Sequence, residues 1–291
     1  MAGNIARVAR QFAGSPFAVV AATIVALLLL TAIFGPSLVP QNPYNLAELG
    51  MADNMLPPGA QAEAGFTLLL GADGQGRDML STMVYGLRTS IAVGISACVV
   101  AVALGTILGL IAGYVGGRTE TIIMRLVDFM LSFPTILIAL MIMAMLGQGV
   151  VKLIFALILV QWAYFARVVR GAALVERSKD YIEAARCLRL GPVRIILGHL
   201  LPNCLPPVIV VGTLQIASAI ATEATLSFLG IGLPITEPSL GLLIANGYEH
   251  LLTGKYWVAV FPGVLLLVLI FSINIAGDRL REILNPRLQG R

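Results

Sequence analysis

Charged residues are scarce in this sequence. Only 12% of its 291 residues are Asp, Glu, Lys or Arg, 58% are hydrophobic, and the mean hydropathy is +0.92. A soluble domain has roughly a quarter of its residues charged. The segments between Arg88 and Arg118 and between Lys255 and Asp278 contain no charged residue, and each exceeds the ~20 residues that a helix needs to cross a hydrocarbon core. The composition excludes a soluble globular protein and predicts an integral membrane protein.

Cysteine and histidine are also rare. Cys98, Cys187 and Cys204 lack the C-x-x-C spacing of a metal site, and His199 and His250 lie far apart in sequence. A membrane enzyme would need a nucleophile, a base or a metal cluster at a membrane face. We therefore expect packing roles for the cysteines, no metal or cofactor bound by this chain, and no enzymatic activity.

Charge-free segments bounded by charges and turn residues predict an all-α protein with six transmembrane helices. The predicted spans are Phe17 to Val39, Thr89 to Val115, Thr121 to Leu146, Val150 to Val169, Leu205 to Leu229, and Tyr256 to Gly277. The corresponding division is a cytoplasmic N-terminus at 1–16, an anchor at 17–39, an extracytoplasmic loop at 40–88, a core of five spans at 89–277 that includes a cytoplasmic loop at 170–204, and a cytoplasmic C-terminus at 278–291.

The first apolar stretch follows Arg7 and Arg10, as a signal peptide would. It exceeds the usual apolar region of ~7 to 15 residues and lacks an A-x-A cleavage site. We expect an uncleaved anchor.

The fourth predicted span is the shortest. If it crosses the membrane, the side chains of Lys152 and Arg167 must extend to the two interfaces.

The distribution of basic residues predicts that both termini are cytoplasmic, because Lys and Arg concentrate in cytoplasmic loops. With this orientation, 15 of the 19 Lys and Arg residues lie inside: Arg7, Arg10, Arg118, Arg125, Arg167, Arg170, Arg177, Lys179, Arg186, Arg189, Arg194, Arg279, Arg281, Arg287 and Arg291. The outer side then holds Arg77, Arg88, Lys152 and Lys255. Topology thus explains the net charge of +4, and no nucleic-acid partner is expected.

Two outer segments, at 40–87 and 230–255, are predicted loops rich in turn residues. Such loops could receive a partner that delivers a solute, or could be simple connectors. Composition favours neither.

The cytoplasmic segment from Glu176 to Asn203 reads as two short helices joined by a turn. Asp180 and Glu183 fit a capping box at the start of a helix over Tyr181 to Leu190. Gly191 can supply the turn, and Pro192 suits the first position of a second helix that ends near Leu200.

Ala184 and Ala185 give the first helix a small-residue surface, beside which Tyr181, Ile182 and Leu188 offer apolar contacts. A helix that docks into a groove of a partner uses such a surface. The alternative is a connector in which Glu183 serves only as a cap. The residues alone leave both interpretations open.

This segment resembles the EAA loop, the coupling motif of ABC importer membrane subunits. Glu183, Ala184 and Ala185 match its start. The residues that match its end are Arg194, Ile195, Ile196, His199, Leu201, Pro202 and Asn203. The family has glycine where this chain has Arg189, so Gly191 is expected to make the turn instead. The resemblance implies that Asp180, Tyr181, Glu183, Ala184, Ala185, Leu188, Arg189, Gly191 and Arg194 couple to an ATPase.

Further blocks resemble the dipeptide, oligopeptide and nickel branch of these permeases, along nearly the whole chain. They are LGADGQGRDMLSTMVYGLRTSIAVG (70–94), AGYVGG (112–117), MRLVDFMLSFP (124–134), YFARVVRG (164–171) and EATLSFLGIGLP (223–234). The anchor and the Pro-rich outer loop resemble the second permease subunit type of that branch.

The resemblance implies a type I ABC importer permease fold with cytoplasmic coupling helices, in a bacterial inner membrane. The implied partners are a homologous permease subunit, two cytoplasmic ATPase subunits that carry ATP and Mg²⁺, an external binding protein and membrane lipid. The implied solute is a dipeptide or oligopeptide, with nickel chelates or glutathione as alternatives. An ion-coupled secondary transporter is the rival from another class, but neither midplane charges nor inverted repeats are evident.

Two acidic residues fall within predicted spans, where a charge costs ~2.5 kcal/mol or more at the centre. Asp128 lies one turn after Arg125, so an ion pair within the helix is the favoured interpretation, with a place in the solute pathway as the alternative. Glu223 is expected near the outer boundary, at the mouth of the pathway or paired with Arg88.

Two patterns predict helix geometry. Pro134 should kink the third span because it lacks a backbone N–H. Gly105, Gly109 and Gly113 recur every four residues on one face of the second span. This stripe predicts close contact with another helix.

Overall fold

The computed structural model describes residues 10–45 and 50–284. Outside them lie 1–9 and 285–291 of the predicted termini and 46–49 of the outer loop. The charges assigned above to Arg7, Arg287 and Arg291 therefore lie outside the described residues.

The described residues are mainly helical. In chain order the helices are α1 (Pro16–Phe34), α2 (Met79–Val115), α3 (Gly117–Leu131), α4 (Thr135–Leu146), α5 (Val150–Arg177), α6 (Asp180–Cys187), α7 (Pro192–Phe228), α8 (Leu240–Tyr248) and α9 (Trp257–Leu284). Five of them, α1, α2, α5, α7 and α9, are long and apolar enough to cross a membrane. The pair α3 and α4 makes a sixth span if the two are counted together. The prediction of an all-α protein with six spans is confirmed.

The second span begins ten residues earlier than predicted. Asp78 caps α2, because its carboxylate accepts hydrogen bonds from the backbone N–H of Ser81 at 2.8 Å and from the Ser81 hydroxyl at 2.6 Å. The predicted spans were bounded by charges, so the prediction began after Arg88, although the uncharged residues 79–87 belong to the same helix. Arg88, placed above at the end of the outer loop, consequently lies within α2.

The third span is broken rather than kinked. α3 and α4 meet at 87° across Ser132 to Pro134. Pro134 has φ −56° and ψ 126°, which is not helical. Because a proline disfavours helical geometry in the preceding residue and has no N–H to donate, the ladder stops and restarts.

The glycine stripe packs α2 against α5, as predicted. An added Cβ would lie 2.5 Å from the Trp162 carbonyl at Gly105, 2.7 Å from the Ala166 carbonyl at Gly109, and 2.6 Å from the Ala173 Cβ at Gly113. These distances leave no space for a side chain, so the two backbones are in direct contact. α7 and α9 pack beside this pair, and α1 lies against α9 and α2.

The outer segment folds against the membrane helices. A buried ion pair joins Asp73 and Arg77 at 2.6 Å, and Trp257 at the start of α9 donates its indole N–H to the Ala72 carbonyl at 3.1 Å. α8 rests on α7, α9 and α2. α3 packs against α2 and α5, and α4 packs against α5.

Candidate functional site

Helix α6 begins without the predicted capping box. Lys179 is the N-cap and gives no side-chain cap, and its backbone carbonyl accepts from the N–H groups of Ile182 and Glu183. Asp180 therefore sits inside the first turn. The exposed Glu183 side chain makes no hydrogen bond or ion pair with any part of the chain that the structure describes. Capping thus does not explain Glu183.

The buried and exposed faces of α6 do not carry the residues that were predicted for its contact surface. Ile182 and Ala185 are buried against Ile195 and Leu200 of α7, so they hold the segment together instead of contacting a partner. The exposed face of α6 includes Asp180, Glu183, Ala184, Cys187 and Leu188. Leu188 is 74% exposed. An unpaired carboxylate thus lies next to a small residue and a projecting apolar side chain.

The turn after α6 is made by Arg189. Its φ of 53° is left-handed, whereas Gly191 has φ −62° and ψ 149°. The prediction that Gly191 replaces the family glycine in this turn is therefore wrong. Arg189 adopts a conformation that glycine reaches without the steric cost of a Cβ.

Pro192 is the first residue of α7, as predicted, but the second helix does not end near Leu200. It passes through a π-helical turn at Ile196–Leu200 and continues to Phe228. Pro202, Pro206 and Pro207 lie within this continuous helix. Arg194 is exposed in the first turn of α7. A π-turn inserted into an α-helix is frequent at functional sites.

Tyr181 connects α6 to both neighbouring helices. Its hydroxyl donates to Glu176 Oε2 at 2.6 Å and accepts from Asn203 Nδ2 at 3.2 Å. Asn203 Nδ2 also donates to the His199 carbonyl of the π-turn at 2.7 Å. Partial burial, with the hydrogen bond and charge of Glu176, raises the pKa of Tyr181 to about 12. The phenol therefore keeps the proton that it donates.

Two arginines fix this segment to the end of α2. Arg177 donates to the carbonyls of Gly113 and Tyr114 at 3.0 and 3.2 Å, and the Arg186 guanidinium lies 5.5 Å from the centre of the Tyr114 ring. These contacts satisfy carbonyls that a helix end leaves unpaired. α6 is thereby held to three membrane helices.

Asp128 pairs with Arg167 of α5, not with Arg125. Asp128 Oδ1 lies 2.5 Å from Arg167 Nη2. About two helical turns nearer the start of α3, Glu120 pairs with Arg170, whose Nε donates to the Glu120 carboxylate at 2.8 Å. Both ion pairs join α3 to α5. The i,i+3 spacing had favoured Arg125, but the described structure shows no ion pair between Arg125 and Asp128.

Glu223 is fully buried and faces neither the outer mouth nor Arg88. Its carboxylate accepts from the hydroxyls of Ser90 at 2.7 Å and Ser227 at 2.8 Å, and Ser239 also hydrogen-bonds to it. These serines come from α2, from α7 and from the start of α8. Glu223 thus connects the outer helix α8 to the core.

Several partners in these sites were not predicted. Glu176 and Asn203 lie in the 176–203 segment, and a polar residue beside a span is a signal that could have identified them. No such sequence signal marked Arg167 or the three serines, because their roles depend on contacts between distant helices. Among the described residues, no group of three or more His, Cys, Asp or Glu side chains could hold a metal ion.

Comparison with known proteins agrees with this geometry. Residues 105–290 match the family described as the binding-protein-dependent transport system inner membrane component, and residues 4–58 match the N-terminal transmembrane domain of oligopeptide transport permease C. The chain belongs to this binding-protein-dependent transport family. It is a multi-pass permease subunit of an ABC importer.

Curated relatives cover most of the chain. The di/tripeptide transport system permease protein DppC of Pseudomonas aeruginosa is 35% identical, over 90% of this chain and 86% of the relative. The probable D,D-dipeptide permease DdpC of Escherichia coli is 34% identical, over 99% and 93%. The oligopeptide permease OppC of Bacillus subtilis is 33% identical, over 96% and 88%.

A solved structure shares the fold. An inward-facing MetNI methionine ABC transporter matches with a TM-score of 0.57 and 22% identity, over 70% of this chain and 97% of that chain. The resemblance to an ABC importer permease drawn from the sequence motifs is confirmed.

Proposed function

We propose that this chain is one of two permease subunits of an importer for dipeptides or oligopeptides, and that α6 is the helix through which a cytoplasmic ATPase drives it. The relatives named for peptide transport support the solute. The free carboxylate of Glu183 supports the docking role, since it is exposed and no described group of this chain pairs with it. An exposed carboxylate beside an apolar side chain is suited to a complementary groove on a partner.

The proposed assembly has a homologous permease subunit, two ATPase subunits that carry ATP and Mg²⁺, and an extracytoplasmic binding protein. The chain contributes half of the pathway and one coupling segment, and hydrolysis takes place on the partners. ATP binding closes the ATPases and draws the docked segments together, which favours an outward-open state. A change of state needs such a difference in interaction energy between the two states.

The direct test of docking is Glu183→Leu in the complete transporter. We expect weaker co-purification of the ATPase and lower uptake, because the substitution removes an unpaired carboxylate from the exposed face. Glu249→Leu is the matched control for ATPase co-purification, since Glu249 is an exposed carboxylate on the outer segment, far in the chain from α6. Retained ATPase association together with undiminished uptake in the Glu183→Leu protein would contradict the proposal.

The proposed orientation places α6 in the cytoplasm of a bacterial cell and the 40–78 segment outside. Cys187 is exposed on α6, while Cys98 and Cys204 are buried. An impermeant thiol reagent should therefore label Cys187 in inside-out vesicles stripped of the ATPase and not in intact spheroplasts. The reverse pattern would invert the topology.

The solute can be assigned by uptake into vesicles that contain the transporter and its binding protein. Labelled dipeptide and pentapeptide are expected to accumulate when ATP is supplied. Accumulation of a nickel chelate or of glutathione, without peptide uptake, would select one of the alternatives. Uptake that persists without any ATPase would instead indicate an ion-coupled carrier.

A further inference from the structure

The turn between α6 and α7 exposes apolar side chains beside two arginines. Leu188 directly follows α6, and Val193 and Leu197 lie one turn apart on one face of α7. All three are exposed, Val193 to 66% and Leu197 to 57%. Arg189 and Arg194 are the exposed arginines next to them, and we call these five residues the basic tip. Exposed apolar surface bordered by polar groups is typical of an interaction site.

Neither arginine of the basic tip stabilises the chain at its position. Arg189 has φ 53°, a conformation that costs free energy for a residue with a Cβ. Arg194 lies in the first turn of α7, where the helix dipole disfavours a cation. The side chains of both make no ion pair or hydrogen bond with the described residues. Residues that break local rules without a compensating contact are typical of functional sites.

The two signs of charge are separated along this exposed segment. Asp180 and Glu183 lie in the first turn of α6, whereas Arg186 lies in its last turn and Arg189 and Arg194 follow. The dipole of α6 favours this order within the helix, but it does not extend to Arg194. A partner that covers the whole segment must therefore present a cation or a donor to Glu183 and carboxylates to the arginines.

A protein surface fits this arrangement better than a lipid surface does. Anionic lipid would attract the arginines but repel Asp180 and Glu183 of the same segment. A protein groove can carry both signs of charge at matching places. Leu188 belongs both to the exposed face of α6 and to the basic tip, so a single partner surface can cover the two without a gap.

We propose that the basic tip meets an acidic border of the ATPase groove into which α6 docks, and that Arg189 and Arg194 select an ATPase with that border. The inference rests on the docking proposed for α6. Complementary charges favour one partner and disfavour others. The EAA motif that this segment resembles has glycine where this chain has Arg189. The selection is thus a property of this chain and is separate from the shared docking motif.

Salt-dependent rebinding of the ATPase to the stripped permease pair tests the selection. Exposed charges act over ~10 Å at ~0.1 M salt and over ~3 Å at ~1 M. At the lower salt, Arg189→Gly and Arg194→Gln should each weaken binding roughly two- to fivefold, as expected for exposed ion pairs. At the higher salt both should bind as the wild type does. Leu188→Ser should weaken binding at both, because apolar contact is not screened.

Arg281→Gln is the control for the loss of a positive charge. Arg281 is an exposed arginine in the last turn of α9, remote from α6 in the chain. ATPase binding should be unchanged at both salt concentrations. A decrease equal to that of the two tip variants would show that net charge, not the basic tip, attracts the ATPase.

Arg189→Gly also separates recognition from folding. Glycine relieves the left-handed conformation, so the midpoint of thermal unfolding should rise while ATPase binding at low salt weakens. Weaker binding by a more stable protein cannot arise from misfolding. Unchanged or tighter binding would overturn the role of Arg189.

The outcomes distinguish this inference from the proposed function. Wild-type ATPase binding by both arginine variants, while Glu183→Leu still loses the ATPase, overturns the acidic border and leaves the docking of α6. Full binding by Glu183→Leu as well removes the docking. The same comparison in phosphatidylcholine vesicles tests lipid: an arginine effect that persists there supports the ATPase contact, and one that needs anionic lipid assigns the basic tip to the membrane surface instead.

Discussion

The hydroxyl of Tyr181 lies 2.6 Å from Glu176 Oε2 and so ties helix α6 to the end of α5. The same hydroxyl accepts from Asn203 of α7. Two membrane helices are thus joined to the proposed docking helix through a single oxygen atom. A displacement of α6 by a partner would be transmitted to both helices at once.

Tyr181→Phe should loosen this connection. It removes only the oxygen, and a hydrogen bond to a charged group contributes roughly 1.5 to 3 kcal/mol, less where the groups are exposed as they are here. We expect α6 to remain folded, because Ile182 and Ala185 stay buried, and the number of solute molecules moved per ATP to fall. The measurement is uptake and ATP hydrolysis in the same vesicles.

Tyr164→Phe is the control for this prediction, since no hydrogen bond involves the Tyr164 hydroxyl within the described part of the chain. An unchanged ratio of solute to ATP in the Tyr181→Phe protein would show that the connection does not carry the coupling.

Arg189→Gly should stabilise the protein. A non-glycine residue in the left-handed region costs roughly 1 to 2 kcal/mol, and glycine avoids this cost. Greater freedom of glycine in the unfolded chain offsets part of the gain, so we expect about 0.5 to 1 kcal/mol, seen as a higher midpoint of thermal unfolding.

Arg194→Gly provides the opposite case. Arg194 lies in the first turn of α7 in ordinary helical geometry, so the same exchange should lower the midpoint. A decrease for both variants would mean that the Arg189 side chain contributes more than its backbone strain costs.

Glu223→Gln should be tolerated, whereas Glu223→Leu should not. No cation among the described residues pairs with Glu223, and its partners are hydroxyl groups that an amide can also satisfy. Leucine would leave the hydroxyls of Ser90 and Ser227 without their acceptor, at about 1 to 3 kcal/mol for each buried group. Thermal unfolding and the yield of purified protein would report the difference. Equal damage from both substitutions would show that the negative charge itself is required.

Gly109→Ala should destabilise the contact between α2 and α5. Alanine normally favours a helix interior by about 0.5 to 1 kcal/mol over glycine. Here its Cβ would lie 2.7 Å from the Ala166 carbonyl and 2.7 Å from Val169 Cβ, so the helices must separate. Gly171→Ala in α5 is the control, because nothing lies within 4 Å of its added Cβ. We expect a lower unfolding midpoint for Gly109→Ala and an unchanged or higher one for Gly171→Ala.

Local patterns in the sequence predicted much of this protein. Charge-free length predicted the spans, and four-residue spacing predicted the glycine contact of α2. Pro192 correctly marked the start of α7, because its effect on the backbone acts within one turn. The EAA-like segment placed the candidate coupling helix, since its residues are consecutive.

Predictions that depended on side-chain direction were less successful. The capping box at Asp180 and Glu183 failed, because the chain enters the helix one residue earlier. Assigning Ile182 and Ala185 to the outer surface was wrong, since sequence spacing defines a helical face but not which face meets the protein. Arg189 in a left-handed turn was missed because an arginine carries no local signal for it.

The sequence by itself determined that this chain is a membrane protein, the number of its crossings and the location of the candidate coupling helix α6, because hydropathy and helical periodicity are properties of neighbouring residues. Only the tertiary structure decided that Asp128 pairs with Arg167, that Glu223 meets three serines and that Glu183 is left free. Those contacts join residues tens of positions apart, and they form only when whole helices pack at particular rotations and depths.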